Sequence, residues 1–193
     1  RANAMQVDPA GNVYVTGHNI TPQGTDCVTL KYDTDGNLLW EQRYRGPLDT
    51  MDVSVKLVLD GAGNVYVAGW SYGPTVDYFT LKYDNDGMLK WNRRYNGPGN
   101  GDDMLTGLAV DRAGNVYVTG SSVGVGTGQD YATLKYDSAG TLIWERRYDG
   151  PLNKNDKPSS VAVDSNFNVF VTGGASSDSI DSGEFGYIYI PEF

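Results

Sequence analysis

The 193-residue sequence contains one cysteine, Cys27, and one histidine, His18. This excludes a disulfide within the chain and a zinc site built from several Cys or His side chains of one chain. Basic residues are also few, since 15 Lys and Arg stand against 24 Asp and Glu, for a formal net charge of −9. Nucleic acids and anionic lipids bind basic surfaces, so we expect no nucleic-acid partner. The sequence has no long apolar run, so we also expect no membrane insertion by this chain.

Helix formers are scarce in the same way. Twenty of the 24 acidic residues are Asp, which favours turns over helix interiors. The 25 Gly and 14 Tyr complete a composition of strands and tight turns. We therefore expect an all-β chain.

An internal repeat of 51 to 53 residues organises the sequence. The motif Gly-Asn-Val-Tyr-Val occurs at 11–15, 63–67 and 114–118, with a looser copy at 167–171. Leu-Lys-Tyr-Asp recurs at 30–33, 81–84 and 134–137, and a Trp-to-Tyr segment followed by Gly-Pro ends at 47, 98 and 151. A period of this length with several short strands per unit is typical of a β-propeller.

Each repeat predicts one blade of four antiparallel strands, and the chain predicts about four blades in a single domain, 1–193. The approximate repeats are 1–48, 49–99, 100–152 and 153–193, and the last lacks its fourth strand. Three alternatives follow: a closed four-bladed propeller, a fragment of a longer propeller, or an oligomer that completes the ring. Because an open strand edge promotes association, we include self-association through the incomplete fourth blade among the expected partners.

Several repeated side chains are interpreted as framework. Trp40, Trp91 and Trp144 share one slot and are predicted to wedge between blades, so Trp91→Ala should unfold the domain. The pairs Arg93-Arg94 and Arg146-Arg147 should send one side chain to each face and meet nearby carboxylates. The repeated lysines, Lys31, Lys82 and Lys135, are interpreted as part of the blade structure.

These motifs together resemble the SBBP β-propeller repeat. The resemblance rests on Asp-x-x-Gly-Asn-Val-Tyr-Val-Thr-Gly, Asp-Tyr-x-Thr-Leu-Lys-Tyr-Asp-x-x-Gly and Trp-x-x-Arg-Tyr-x-Gly-Pro, and it covers about residues 1–176. It implies a protein of bacterial or archaeal cell surfaces, an extracellular setting and no known reaction. The Asp33, Gly36 and Trp40 pattern is also similar to quinoprotein dehydrogenase repeats, although the chain is short for such an enzyme. The closing Ile-Pro-Glu-Phe resembles an archaeal surface-sorting signal, and a cloning remnant is the alternative.

Candidate binding residues lie in the predicted variable loops, which are 18–25, 70–76, 121–129 and 174–183. Trp70 and Tyr72, with His18, are candidate ligand contacts at that face, and the alternative for the aromatic residues is packing between blades. His18 and Cys27 border the same loop but lack the other parts of a nucleophilic site.

Repeated carboxylates are the candidate metal ligands. Asp52, Asp103 and Asp156 recur before the first strand of a blade, where they would hold Ca²⁺ or, alternatively, cap a turn. The segment 176–184 offers three further carboxylates, with a mobile polar loop as the alternative. No other cofactor is expected.

The sequence thus favours a non-catalytic cell-surface propeller used in binding, adhesion or assembly, with a protein or glycan partner at the variable-loop face. A carbohydrate-binding module and a glycan-active enzyme remain alternatives, because fold alone does not determine function.

Overall fold

The computed structural model describes residues 1–48, 50–176 and 184–190, the last as a strand with its backbone pairing. In these described ranges, fifteen strands form four antiparallel sheets with simple up-and-down order. Among the residues that the structure describes, three sheets have four strands and the fourth has three, which confirms the predicted all-β class with an incomplete last blade. Within the described ranges, no helix has the length and apolar character needed to cross a membrane.

The strands of each sheet fall within one repeat. The first sheet contains β1 (Ala2–Val7), β2 (Val13–Thr21), β3 (Gly24–Tyr32) and β4 (Leu38–Tyr44). The second contains β5 (Asp52–Leu59), β6 (Val65–Tyr72), β7 (Val76–Tyr83) and β8 (Leu89–Tyr95). The third contains β9 (Asp103–Val110), β10 (Val116–Val123), β11 (Gln129–Tyr136) and β12 (Leu142–Tyr148). The fourth contains β13 (Lys157–Val163), β14 (Val169–Ala175) and β15 (Glu184–Ile190).

An Asp-capped turn joins the first and second strands of every sheet. In the second sheet Asp60 accepts hydrogen bonds from Ala62 N and Asn64 N, both at 2.9 Å, and from Tyr66 OH at 2.9 Å. Gly63 takes a φ of +79°, which an L side chain rarely adopts. The Asp-x-x-Gly-Asn motif therefore supplies both the turn of the hairpin and the carboxylate that caps it. Much of the acidic charge belongs to Asp side chains that accept hydrogen bonds inside such turns.

The chain divides into two compact units, Arg1–Arg94 and Tyr95–Phe193. Alternation along a strand gives every sheet two faces. We call the side that carries the two valines of the second strand, such as Val65 and Val67, the valine face. The opposite side, which carries Tyr14 in the first sheet, is the tyrosine face.

Each unit contains a core made by facing sheets. In the first unit Tyr14 and Trp40 of the tyrosine face pack with Val65, Val67 and Leu81 of the second sheet's valine face. In the second unit Tyr117 and Trp144 pack with Val161, Val169 and Val171 of the fourth sheet. The same tyrosine-to-valine packing thus occurs in both units.

Trp40 and Trp144 lie where the sequence predicted a wedge between blades. Trp40 lies 6.1 Å from the Tyr14 ring in its own sheet and 6.3 Å from the Tyr83 ring in the next. Its indole N–H donates to Asn85 O of the second sheet at 3.0 Å. Trp91 is 7% exposed and contacts the Tyr66 ring at 6.4 Å.

The repeated basic residues are also framework, as predicted. Lys31 lies over the Tyr14 ring at 5.1 Å and donates to Asn85 Oδ1 at 2.6 Å. Lys82 and Lys135 lie over Tyr66 and Tyr117 at similar distances. The paired arginines separate by face. Arg93 and Arg146 stack on Trp91 and Trp144, while Arg94 and Arg147 turn to the other side and meet carboxylates.

Candidate functional site

The loops between second and third strands are shorter than the sequence predicted. His18 lies within β2 and pairs with Cys27 across the hairpin, and Trp70 lies within β6 opposite Tyr78. The predicted loops 18–25 and 70–76 are therefore largely strand, because the ladders continue beyond the apolar residues that marked them. Residues 177–183 of the fourth predicted loop, and Pro191–Phe193 of the closing motif, lie outside the described residues.

His18 and Cys27 do not form an activated nucleophile pair. Cys27 is 1% exposed, and burial raises the pKa of its thiol to about 12, so the sulfur stays protonated at neutral pH. Partial burial, together with the nearby positive amino terminus, lowers the pKa of His18. Its Nδ1 lies 3.3 Å from Asn3 Nδ2. The pair lacks the thiolate that a nucleophilic site needs.

Trp70 and Tyr72 form an aromatic pair at the end of β6. Their ring centroids are 5.9 Å apart with an interplanar angle of 72°. Tyr72 is 44% exposed and Trp70 is partly buried. This edge-to-face contact leaves one tyrosine ring accessible to a ligand, without the coplanar platform that two parallel rings would give.

Asp52, Asp103 and Asp156 each cap the Gly-Pro turn that precedes them. Their Oδ2 atoms accept hydrogen bonds of 2.6–2.7 Å from the backbone N–H groups of Gly46, Gly97 and Gly150. Asp52 Oδ1 is buried without a hydrogen bond among the described atoms, and burial raises the pKa of this carboxyl. The geometry therefore favours the capping alternative over a single metal site shared by the three.

An arginine–aspartate pair recurs at the entrance to the third strand of three sheets. The distances are 3.6 Å for Arg43–Asp26, 2.7 Å for Arg94–Asp77 and 2.9 Å for Arg147–Asp130. Arg147 also donates to Ser122 Oγ and Tyr95 OH. Because the Asp130 side chain is 5% exposed, this contact is shielded from solvent.

A cluster of three carboxylates lies at this corner of the third sheet, and sequence reasoning missed two of its members. Asp130, Asp149 and Asp156 each place a carboxylate oxygen within 4.8 Å of the others. A backbone hydrogen bond of 2.6 Å from Asp156 N to Gln129 O holds the segment between β12 and β13 beside β11. Burial, and then the charges of Asp130 and Asp156, raise the pKa of Asp149. One feature of the sequence could have indicated the cluster. The residue before Gly-Pro changes from one repeat to the next, and it is Arg45, then Asn96, then Asp149.

The valine face of the first sheet is partly exposed, unlike its counterparts. Met5 is 64% exposed, whereas the equivalent residues Leu57, Leu108 and Val161 are 5%, 8% and 6% exposed. Val13, Val15, Val28, Leu30 and Tyr32 are all partly exposed, and their second-sheet equivalents are all buried. A hollow of about 270 Å³ lies on this sheet, lined in part by Val15, Val28, Leu30, Glu41, Arg43 and the predicted ligand residue His18.

Comparisons with known proteins agree with this architecture. The family model described as "SBBP: Beta-propeller repeat" matches residues 90–125, which run from β8 through β10. A comparison with curated proteins finds no match.

Among solved structures, a protein of unknown function from Bacteroides caccae aligns with a TM-score of 0.55 and 14% identity, covering 97% of this chain and 60% of that one. A gluconolactonase from Xanthomonas campestris aligns with a TM-score of 0.46 and 21% identity, covering 90% of this chain and 54% of that one. The chain therefore spans little more than half the length of these structures, and the likeness to the Bacteroides protein is one of fold. The family match therefore shows one β-propeller repeat of the SBBP type at residues 90–125, within a chain whose sheets have the fold of a β-propeller.

Proposed function

We propose that this chain is a non-catalytic, extracellular β-propeller module that works by assembly, with a second copy of itself as the partner. The observation that carries the proposal is the exposed valine face of the first sheet. In the second and fourth sheets the equivalent face is buried by the tyrosine face of the preceding sheet in the same unit. An exposed apolar face of this kind marks an interaction surface.

The chain's own packing indicates what the partner surface is. Tyrosine face meets valine face in both units, and the fourth sheet has a tyrosine face with Phe170 in the tyrosine slot. Phe170 is 36% exposed, whereas Tyr14, Tyr66 and Tyr117 are 0% exposed. The fourth sheet of one copy can therefore cover the first sheet of the next, which is a head-to-tail contact between two different surfaces.

The side-chain chemistry supports a role without catalysis. The repeated Asp side chains are bound to backbone N–H groups of turns, and the one thiol is held protonated by burial. An extracellular setting is proposed from the repeat family.

Sedimentation of three forms of the chain tests the proposal. The wild type should sediment as an assembly of two or more 21.0 kDa chains. Val15→Asp should reduce it to one folded chain, because a charge on the valine face opposes burial there. Val125→Asp changes a valine that is 76% exposed elsewhere and should leave the assembly intact. Equal masses for Val15→Asp and the wild type would count against the proposal.

Carbohydrate binding is a second candidate, and the Trp70–Tyr72 pair is the observation that favours it. Aromatic rings that are partly exposed can stack on sugar rings while the rest of the pair stays anchored in the strand. A glycan array on wild type and Tyr72→Ala tests it. Binding that disappears in the variant would support this function, and absence of binding to every glycan would remove it.

A further inference from the structure

The corner of the third sheet carries more negative charge than its counterpart in the first sheet. Asp130, Asp149 and Asp156 give three carboxylates, and within the described residues Arg147 is the one cation paired with them. At the equivalent corner of the first sheet, Asp26 is paired with two guanidinium groups, those of Arg43 and Arg45.

The difference arises at a single repeat position. Arg45 and Asp149 both precede the Gly-Pro turn, and Arg45 Nη2 lies 3.2 Å from Asp26 Oδ2. Replacing this arginine by an aspartate removes one positive charge from the corner and adds one negative charge. Among the described residues, the corner of the third sheet therefore has one paired guanidinium group, whereas the corner of the first sheet has two.

Two carboxylate oxygens of the third corner are buried without hydrogen bonds. Asp130 Oδ1 and Asp149 Oδ1 are screened from solvent and have no partner among the described residues. The whole Asp130 residue is 3% exposed, and its other oxygen, Oδ2, accepts from Thr127 Oγ1 and Arg147 Nη2, both at 2.9 Å. A buried carboxylate oxygen that accepts no hydrogen bond is costly, and a cation at this corner would satisfy both oxygens.

We propose that Asp130, Asp149 and Asp156 bind a Ca²⁺ ion that takes the place of the arginine found in the first sheet. Calcium binds carboxylate oxygens at about 2.3–2.6 Å, so two oxygens on one ion lie at most about 4.6–5.2 Å apart. The mutual spacing of 4.8 Å or less fits that limit. Calcium also accepts irregular sets of carboxylate, carbonyl and water oxygens, which suits a corner formed by a strand end and a linker.

The ion would tie three chain segments together. Asp130 lies in β11, Asp149 follows β12, and Asp156 precedes β13 of the fourth sheet. Calcium therefore links the third and fourth sheets of the second unit, at the corner where Asp156 also caps Gly150. It should stabilise the folded state, since a ligand that binds only the folded state raises the melting temperature.

Thermal unfolding with and without CaCl₂ tests the site. At a Ca²⁺ concentration 100 times the dissociation constant, the wild-type melting temperature should rise by about 5–10 °C. Asp149→Asn, which copies Asn96 of the second repeat, should lose most of this rise. Asp35→Asn removes an exposed carboxylate from a turn of the first sheet and should keep the full rise.

Asp149→Arg tests the replacement of the ion directly. This variant copies the first repeat, so it should melt higher than the wild type in chelator and show no response to calcium. Terbium luminescence gives a second readout that does not depend on stability, since Tyr131 and Tyr148 adjoin Asp130 and Asp149 in sequence and can sensitise a bound Tb³⁺ ion. Sensitised emission that calcium displaces in the wild type, and that is absent in Asp149→Asn, is expected. A wild type with no calcium response and no emission, or an Asp149→Asn variant that retains both, would overturn the proposal.

Discussion

The first and third sheets have the same four-strand frame and differ at one face and one corner. Val15 in the first sheet is partly exposed, whereas Val118 in the same slot of the third is 0% exposed. The slot before Gly-Pro holds Arg45 in the first sheet and Asp149 in the third. The repeated residues build the frame. We place a partner surface where a repeated valine differs in burial, and an ion where the residue before Gly-Pro itself differs.

The largest expected contrast comes from an acidic residue at the two valine positions. Val118→Asp should leave the chain unfolded, because an unpaired buried carboxylate costs several kcal/mol against a total stability of about 5–15 kcal/mol. Val15→Asp should fold with a melting temperature close to that of wild type under conditions where both are single chains. Circular dichroism melts compare them, and equal losses at both positions would mean that the two faces are equally covered.

A smaller contrast is expected between the two arginines. Arg147→Met leaves the buried Asp130 carboxylate without its guanidinium, and breaking a buried pair costs about 3–5 kcal/mol. Arg43 is 41% exposed at its side chain and lies 3.6 Å from Asp26, which keeps Arg45 as a second partner. Arg43→Met should therefore cost about 0–1 kcal/mol. Urea unfolding in excess chelator measures both, and a cost for Arg43→Met that matches Arg147→Met would show that Arg45 does not substitute for Arg43.

The sequence was sufficient for most of this frame. Motifs such as Asp60 to Tyr66 hold their turn, strand start and cap within seven residues, so local pattern predicts local structure. The Trp40 slot was predicted equally well, because a large ring repeated at one position must be buried somewhere.

The rest depends on contacts that no local pattern contains. The loops were predicted too long, since the ladder past His18 and Trp70 depends on pairing with β3 and β7. Asp130 and Asp149 were missed as neighbours of the predicted ligand Asp156, because the three carboxylates meet only when β11, the end of β12 and the segment before β13 converge.

The smallest expected effect is on the pH dependence of the melting temperature, and it should be equal in the first and third sheets. Asp33 and Asp137 cap the turn before β4 and before β12, and hydrogen bonds from Asn37 and Thr141 respectively lower their pKa below the ordinary 3.8. A carboxyl with a lowered folded pKa stabilises above its unfolded pKa, and that stabilisation is lost as the pH falls through the folded value. Asp33→Ala and Asp137→Ala should each reduce the fall in melting temperature between about pH 5 and pH 2.5. A steeper fall in either variant would contradict the assigned direction.

The central claim is that the first sheet of one copy meets the fourth sheet of another, and cross-linking tests it most directly. Met5→Cys and Phe170→Cys place one thiol on each surface, and the native Cys27 is buried with its pKa raised to about 12. When the two variants are mixed and oxidised, a species of twice 21.0 kDa should form in the mixture and stay weak in either variant alone. No cross-link in the mixture, or equal cross-linking of each variant with itself, would contradict the head-to-tail assembly.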